Sequence, residues 1–361
     1  MKQKKALVIN EGYSDNLGDQ AIRAAMLALL TDHDFDTEFL YLSKPSIQTL
    51  PSYSYTKALP KNAKRNSFMS QIKGILYIQY WYIKHKKHIR SILQKNTFDI
   101  ILIGGGQLIN SAGTIAPSGF AVAISALSRA IKKHTTAPIY LTGVGFSGNY
   151  SRLERALYQK GIKRMDGIYV RDTFSQSICK AVFKRDSVVI PDIAFYASEK
   201  ETSPKKIKED VVLLGITNFT EVFKKYNTEA SFSKEDYFEM LYKVLLDYRS
   251  RSLEVLLFYT TLTDAAECRA FQAFIKGKYN VQISIASIAS LKDLLHFFTK
   301  ASHVYSARMH ALILGMKKGC EVQPYLISQK LHSFNEAYVK SPEPVSAYGE
   351  KIVTQLKPIL G

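Results

Sequence analysis

Residues 98–106 read FDIILIGGG, an unbroken apolar run that stops on three glycines. Continuous apolar character without alternation marks a strand buried on both faces, the signature of a central strand in a parallel sheet. Three glycines at its carboxyl end let a second backbone or a ligand approach closely, in the crevice where open α/β sheets bind their ligands. Working outward, residues 6–10 form a second buried strand, followed by the loop EGYSDNLG at 11–18 and a helix from Asp19 that sets Ile22, Ala25, Met26 and Leu29 on one face. Downstream, helical periodicity over 117–132 and 153–163 alternates with the strand and glycine loop PIYLTGVGFSG at 138–148 and the short strand GIYVRD at 167–172. The segment VVIPDIAF at 188–195 closes this half.

Residues 198–210, SEKETSPKKIKED, carry charge and Pro without apolar periodicity and are expected to be a linker. Alternation then restarts, with strands at 211–216, 253–259, 281–285 and 321–327 and helices at 233–250, 264–277 and 291–301; residues 304–318 add a strand and a helix. The expected fold class is α/β: two Rossmann-like, doubly wound domains facing across a cleft, in a GT-B-like arrangement. The expected boundaries are 1–200, 208–340 and a helical tail at 341–361.

A chain of 361 residues exceeds one comfortable core, which agrees with two domains. Lys and Arg outnumber Asp and Glu by 49 to 31, so anionic partners are expected. The cations are dispersed and accompany no zinc-finger or RNA-recognition spacing, which argues against nucleic acid. Cys179, Cys268 and Cys320 are far apart and form no CxxC pair, which fits a reducing compartment. The start, MKQKKALVIN, reads as a first strand, not a signal peptide. The longest aromatic and apolar run, 74–83, has about half the length needed to span a bilayer. A cytoplasmic protein is therefore expected.

The candidate chemical centre is residues 303–319, HVYSARMHALILGMKKG. A strand runs to Ser306, read as a helix cap, and the helix that follows carries Arg308 and His310 in its opening turn. Unpaired N–H groups and the positive dipole end at a helix start, joined by a cation and an imidazole, suit an anionic substrate. Arg171, at a strand end, is a second anion clamp or an ion-pairing residue. Asn16 and Asp19 cap a helix or bind a sugar hydroxyl. Asp15, Asp19 and Asp192 are acceptor-hydroxyl ligands or a second base, with turn formation as the alternative. His303 and His332 rank behind His310. Residues 68–93 form an aromatic helix with a basic end, either solvated or resting on an anionic membrane.

Asn16, Gly18, Asp19, Ala21 and Ile22, then Gly104 to Gly106 with Leu108, Arg171-Asp172 with Ser175, Pro191-Asp192, and Arg308-x-His310-Ala311 together resemble the polysaccharide pyruvyl transferase family over essentially the whole chain, with Met309 where Leu is frequent. The resemblance implies a GT-B-like fold and transfer of the enolpyruvyl unit of phosphoenolpyruvate to a sugar as a pyruvate ketal, in exopolysaccharide, capsule or cell-wall glycan biosynthesis. It implies that Arg171, Arg308 and His310 hold the donor, with Gly105 and Gly106 beside it, and that His310 and Arg308 serve catalysis. Asn16, Asp15, Asp19 and Asp192 would meet the acceptor, a sugar or lipid-linked oligosaccharide. Phosphoenolpyruvate would be a co-substrate, with no cofactor and no metal. Such an enzyme would work in the cytoplasm, with contact at the inner membrane face through 68–93 as a further expectation. The alternatives are a nucleotide-sugar glycosyltransferase on the same scaffold and a noncatalytic glycan-binding protein.

Overall fold

The computed structural model describes residues 3–55, 67–113, 117–197, 208–224 and 232–361, with the backbone alone for 67–79. The expected linker at 198–210 lies outside the described residues except for 208–210, as does 56–66 of the loop that follows the second strand.

The N-terminal sheet is wholly parallel, in the order β2-β1-β3-β4-β5-β6. Its strands are β1 (Lys4–Asn10), β2 (Phe35–Tyr41), β3 (Ile100–Ile109), β4 (Ile139–Phe146), β5 (Gly167–Val170) and β6 (Val188–Val189). Helices α1 (Leu17–Thr31), α2 (Ser67–Lys95), α3 (Gly119–His134), α4 (Arg152–Ile162) and α5 (Thr173–Phe183) connect them. Strand β2 was not anticipated. It is an edge strand with polar Asp36, Thr37 and Glu38 at its centre, so it lacks the apolar run that marks its neighbours.

The C-terminal sheet is also parallel, ordered β11-β10-β7-β8-β9. Its strands are β7 (Glu209–Gly215), β8 (Glu254–Phe258), β9 (Ser284–Ile285), β10 (Ala301–Ser306) and β11 (Glu321–Pro324). Around them lie α6 (Lys234–Ser250), α7 (Leu262–Tyr279), α8 (Leu291–Lys300), α9 (Met309–Lys317), α10 (Gln329–Phe334) and α11 (Val345–Leu360).

Alternate side chains of β1 enter different cores. Leu7 and Ile9 pack with α2 and α3, whereas Ala6 and Val8 join α1 in a core that runs on into the second sheet. The glycines of β3 follow from this packing. A Cβ on Gly104 would stand 2.0 Å from the Thr142 carbonyl oxygen, and one on Gly105, where φ is +78°, would stand 2.0 Å from Ile22.

Contacts among the described residues join the halves beside the cleft. Leu17 N donates to the Thr260 carbonyl at 2.9 Å, Leu262 N donates to Asp15 Oδ2 at 2.9 Å, and Arg269 donates to the Tyr55 carbonyl at 2.9 Å. Helix α11 then returns to the first domain, where Tyr338 and Tyr348 enclose the Phe195 ring at 4.8 and 4.9 Å. Among the described residues no helix is long and apolar enough to cross a membrane.

In a doubly wound sheet the ligand crevice opens where strand order reverses. Here the reversals fall between β1 and β3 in one sheet and between β7 and β10 in the other. Their carboxyl ends face each other across the cleft.

Candidate active site

Between these ends lies a cavity of about 250 Å³. The first domain lines it with Glu11, Asn16, Gly18, Asp19, Gln107 and Leu108, and the second with Arg308, Met309, His310 and Lys330 among others.

Strand β10 ends at Ser306, whose Oγ accepts from Arg308 N at 3.0 Å. Arg308 is still extended, with φ −100° and ψ 107°, and the helix begins one residue later. The N-cap position therefore belongs to Arg308, which makes no side-chain cap bond, and not to Ser306 as the sequence suggested. This late start resolves a geometric difficulty. Residues two apart on a regular helix point to different sides, but a side chain just before the helix and one in its first turn both reach the cavity.

Arg308 is clamped. Its Nε and Nη2 donate to the two oxygens of fully buried Asp264 at 2.9 and 2.7 Å, a bidentate pair. Nη1 carries the remaining donors of the fork that this pair leaves unengaged.

His310 lies over Gly18 and Asp192. Its Nε2 is 3.5 Å from Asp192 Oδ2, an ion-pair distance, and makes no hydrogen bond among the described residues. Arg171 Nη1 approaches the same oxygen at 3.5 Å, and Arg171 Nη2 lies 3.4 Å from Gln107 Oε1. Asp192 Oδ1 accepts from Ala194 N at 3.0 Å, which fixes the carboxylate. Burial pushes the Asp192 carboxyl up, but His310 and Arg171 outweigh it and hold the group well below the usual carboxylate range.

A model of the polysaccharide pyruvyl transferase family matches residues 16–322 of the chain. The chain belongs to the polysaccharide pyruvyl transferase family. It is thus a pyruvyl-transferase-type enzyme of glycan biosynthesis. No curated protein matches the chain by sequence. Solved structures similar in fold include the UDP-GlcNAc 2-epimerase of Neisseria meningitidis bound to UDP-GlcNAc, at 11% identity and TM-score 0.53, with 99% of each chain covered. The putative UDP-N-acetylglucosamine 2-epimerase of Listeria monocytogenes is similar at 13% identity and TM-score 0.52, covering 98% of this chain and 88% of that one. These likenesses concern the two-domain GT-B-like architecture alone.

In this pyruvyl transferase the opposing walls carry opposite charge. Burial pushes the Glu11 carboxyl up to about 7, even though it accepts from Ser43 N and Oγ at 2.8 and 3.0 Å. Desolvation likewise raises Asp19, opposed by His310, a bond from Ser14 and the cations of the other wall. Across the cavity, burial followed by repulsion from Arg171 pushes Lys330 down to about 7.

Other expected residues sit elsewhere. Arg171 is buried behind Gln107, and Gly105 and Gly106 stand behind the lining. Asp15 is engaged with the start of α7 at the domain junction. Asn16 reaches the cavity, but its Oδ1 accepts from Gly18 N at 3.0 Å and so caps α1. His303 pairs with Glu321 at 3.3 Å away from the cleft, and His332 is exposed. Among the described residues no cluster of three His, Cys, Asp or Glu side chains is placed to hold a metal.

Glu11, Lys330 and Asp264 were not singled out from the sequence. Glu11 directly follows β1 at the strand-order reversal, a position that could have flagged it. Lys330 has no local signature, because it arrives from a six-residue helix.

The Gly18 contact gives a direct test of ring placement. A Cβ there would stand 2.5 Å from His310 Nδ1 and 2.8 Å from its Cβ. Gly18→Ala is expected to displace the imidazole and lower kcat by about 10- to 100-fold with little change in Tm. A kcat equal to wild type would show that ring position is immaterial.

Proposed function

We propose that the cleft moves the enolpyruvyl group of phosphoenolpyruvate onto a sugar and closes it as a ketal across two hydroxyls. The observation that carries this reading is the pairing of walls: Arg308, His310 and Lys330 face Glu11 and Asp19 across one small cavity.

Phosphoenolpyruvate presents a carboxylate and a phosphate. Lys330, the unengaged edge of Arg308 and the free N–H groups at the start of α9 supply cationic and donor contacts for both, with Arg171 adding positive field from behind. His310, oriented by Asp192 at Nε2, gives its Nδ1 proton to the methylene carbon. A sugar hydroxyl bonds to the adjacent carbon as Glu11 takes its proton, and the carbon–oxygen bond to phosphate breaks. Attack by a second hydroxyl closes the ring. The two hydroxyl protons balance, one appearing in the new methyl group and one on phosphate. Asn16 and Asp19 hold acceptor hydroxyls. We assign the reaction to the cytoplasm because its donor is a cytoplasmic metabolite.

Incubation with phosphoenolpyruvate and glycan acceptors tests the reading. Acceptor-dependent phosphate release supports it, while nucleotide release from a sugar nucleotide with no phosphate from phosphoenolpyruvate would replace it by a glycosyltransferase.

The two groups near neutrality add a pH test. Glu11 must be deprotonated to act as base, so kcat/KM rises through about 7; Lys330 must be protonated to hold the donor, so kcat/KM falls through about 7. A narrow bell centred near neutral pH is expected, because few molecules carry both correct forms at once. Lys330→Arg should remove the alkaline limb, and an unchanged limb would reject the assignment.

A further inference from the structure

We propose that the outward face of α2, with the end of α3, is a docking surface for an anionic lipid bilayer. Between them, α2 and α3 carry nine Lys and Arg residues and no Asp or Glu, so these two helices hold half the net charge of +18. The inner face of α2 is fixed to the domain. Trp81 is buried and donates to the Ser43 carbonyl at 3.1 Å, and His85 packs on its ring at 5.1 Å. Ile89 and Ile92 complete that buried face.

Among the described residues the opposite face has no protein partner. Tyr80, Ile83, Lys84, Lys87 and Arg90 recur at three- and four-residue spacing and are all exposed, Tyr80 at 57% and Ile83 at 71%. On α3, Lys132 pairs with Asp166, but Lys84, Lys86, Lys87, Arg90 and Lys133 form no ion pair with a carboxylate among the described residues. Lys86, Arg90, Lys133 and His134 converge with Tyr82 on a cavity of about 150 Å³ between the helices, a fit for a phosphate headgroup.

Charge alone would suit any polyanion. Ile83 decides for lipid, since it stands 71% exposed between Tyr80 and Lys84 at the head of the cationic stripe, where a nucleic-acid backbone has nothing apolar to cover it. The bilayer interface takes aliphatic, aromatic and Lys or Arg side chains together. The catalytic cavity lies close by, because Phe120 at the start of α3 lines it and Lys133 follows about 20 Å along the same helix. An acceptor carried on a membrane lipid would thereby meet the enzyme near its cleft. The docking surface does not depend on the donor proposed above.

Cosedimentation of the full chain with phosphatidylglycerol-containing vesicles tests this, with pure phosphatidylcholine vesicles and duplex DNA as the other arms. Strong binding to the anionic vesicles, weakened by salt and absent with phosphatidylcholine, is expected. The variant Lys84→Gln/Lys86→Gln/Lys87→Gln/Arg90→Gln should bind roughly a hundredfold more weakly. Ile83→Ser, which keeps every charge, should weaken vesicle binding by about tenfold and leave DNA binding unchanged. Circular dichroism and thermal unfolding of both variants should match wild type, which confirms that they fold. Wild-type vesicle binding by either variant, or equal displacement by DNA, would overturn the proposal.

Discussion

His310→Gln is expected to lower turnover by roughly 10²- to 10⁴-fold, the range seen when a positioned proton donor is removed. Glutamine keeps a polar side chain of similar reach but cannot deliver a proton at neutral pH. The surrounding groups are otherwise left in place: Asp192 keeps its bond from Ala194 N, and Arg308 keeps its bond to Asp264. Donor contacts from Arg308 and Lys330 survive, so the KM for phosphoenolpyruvate should change by less than about threefold, and the loss should fall on kcat. Steady-state phosphate release over a donor titration separates the two parameters. A near-normal kcat would remove His310 from the proton-transfer role.

The second large effect is on stability. Asp264 is fully buried and accepts from Nε and Nη2 of Arg308, and it also accepts from Asn218 N at 3.0 Å. Asp264→Ala strands the guanidinium and this amide together. Breaking a buried pair from one side costs about 3–5 kcal/mol, because the remaining charge keeps its desolvation penalty without its partner. Urea unfolding should show that loss, and the freed Arg308 should raise the donor KM. Adding Arg308→Ala to Asp264→Ala should recover part of the stability, since the stranded charge is then gone. Equal stability of wild type and Asp264→Ala would show that the pair is unimportant to the fold.

Much of this architecture was legible because its signals are local. The apolar run into Gly104 and the strand-to-helix passage at Arg308 each announce themselves within a few residues. What escaped notice depends on partners far away in the chain. Strand β2 is held by β1 alone and needs no apolar centre. Glu11 and Lys330 acquire their character from the cleft, where removal from water moves a carboxyl up and an ammonium down. Asp264 reads as an ordinary first-turn acid, and only the fold brings it to Arg308, forty-four residues away. Ser306 was close to its expected role, accepting a backbone N–H that lies just ahead of the helix rather than within it.

The return of α11 to the first domain has a consequence for synthesis. Phe195 is covered by Tyr338 and Tyr348, and Lys4 on the first strand donates to the Gly361 carbonyl at 2.7 Å. Domains ordinarily mature in the order in which they leave the ribosome. Here the first domain emerges with an apolar seam that Tyr338 and Tyr348, made after the second sheet, close. The nascent chain must carry that seam uncovered while the second domain is made, so chaperone demand should be set by the time taken to reach α11.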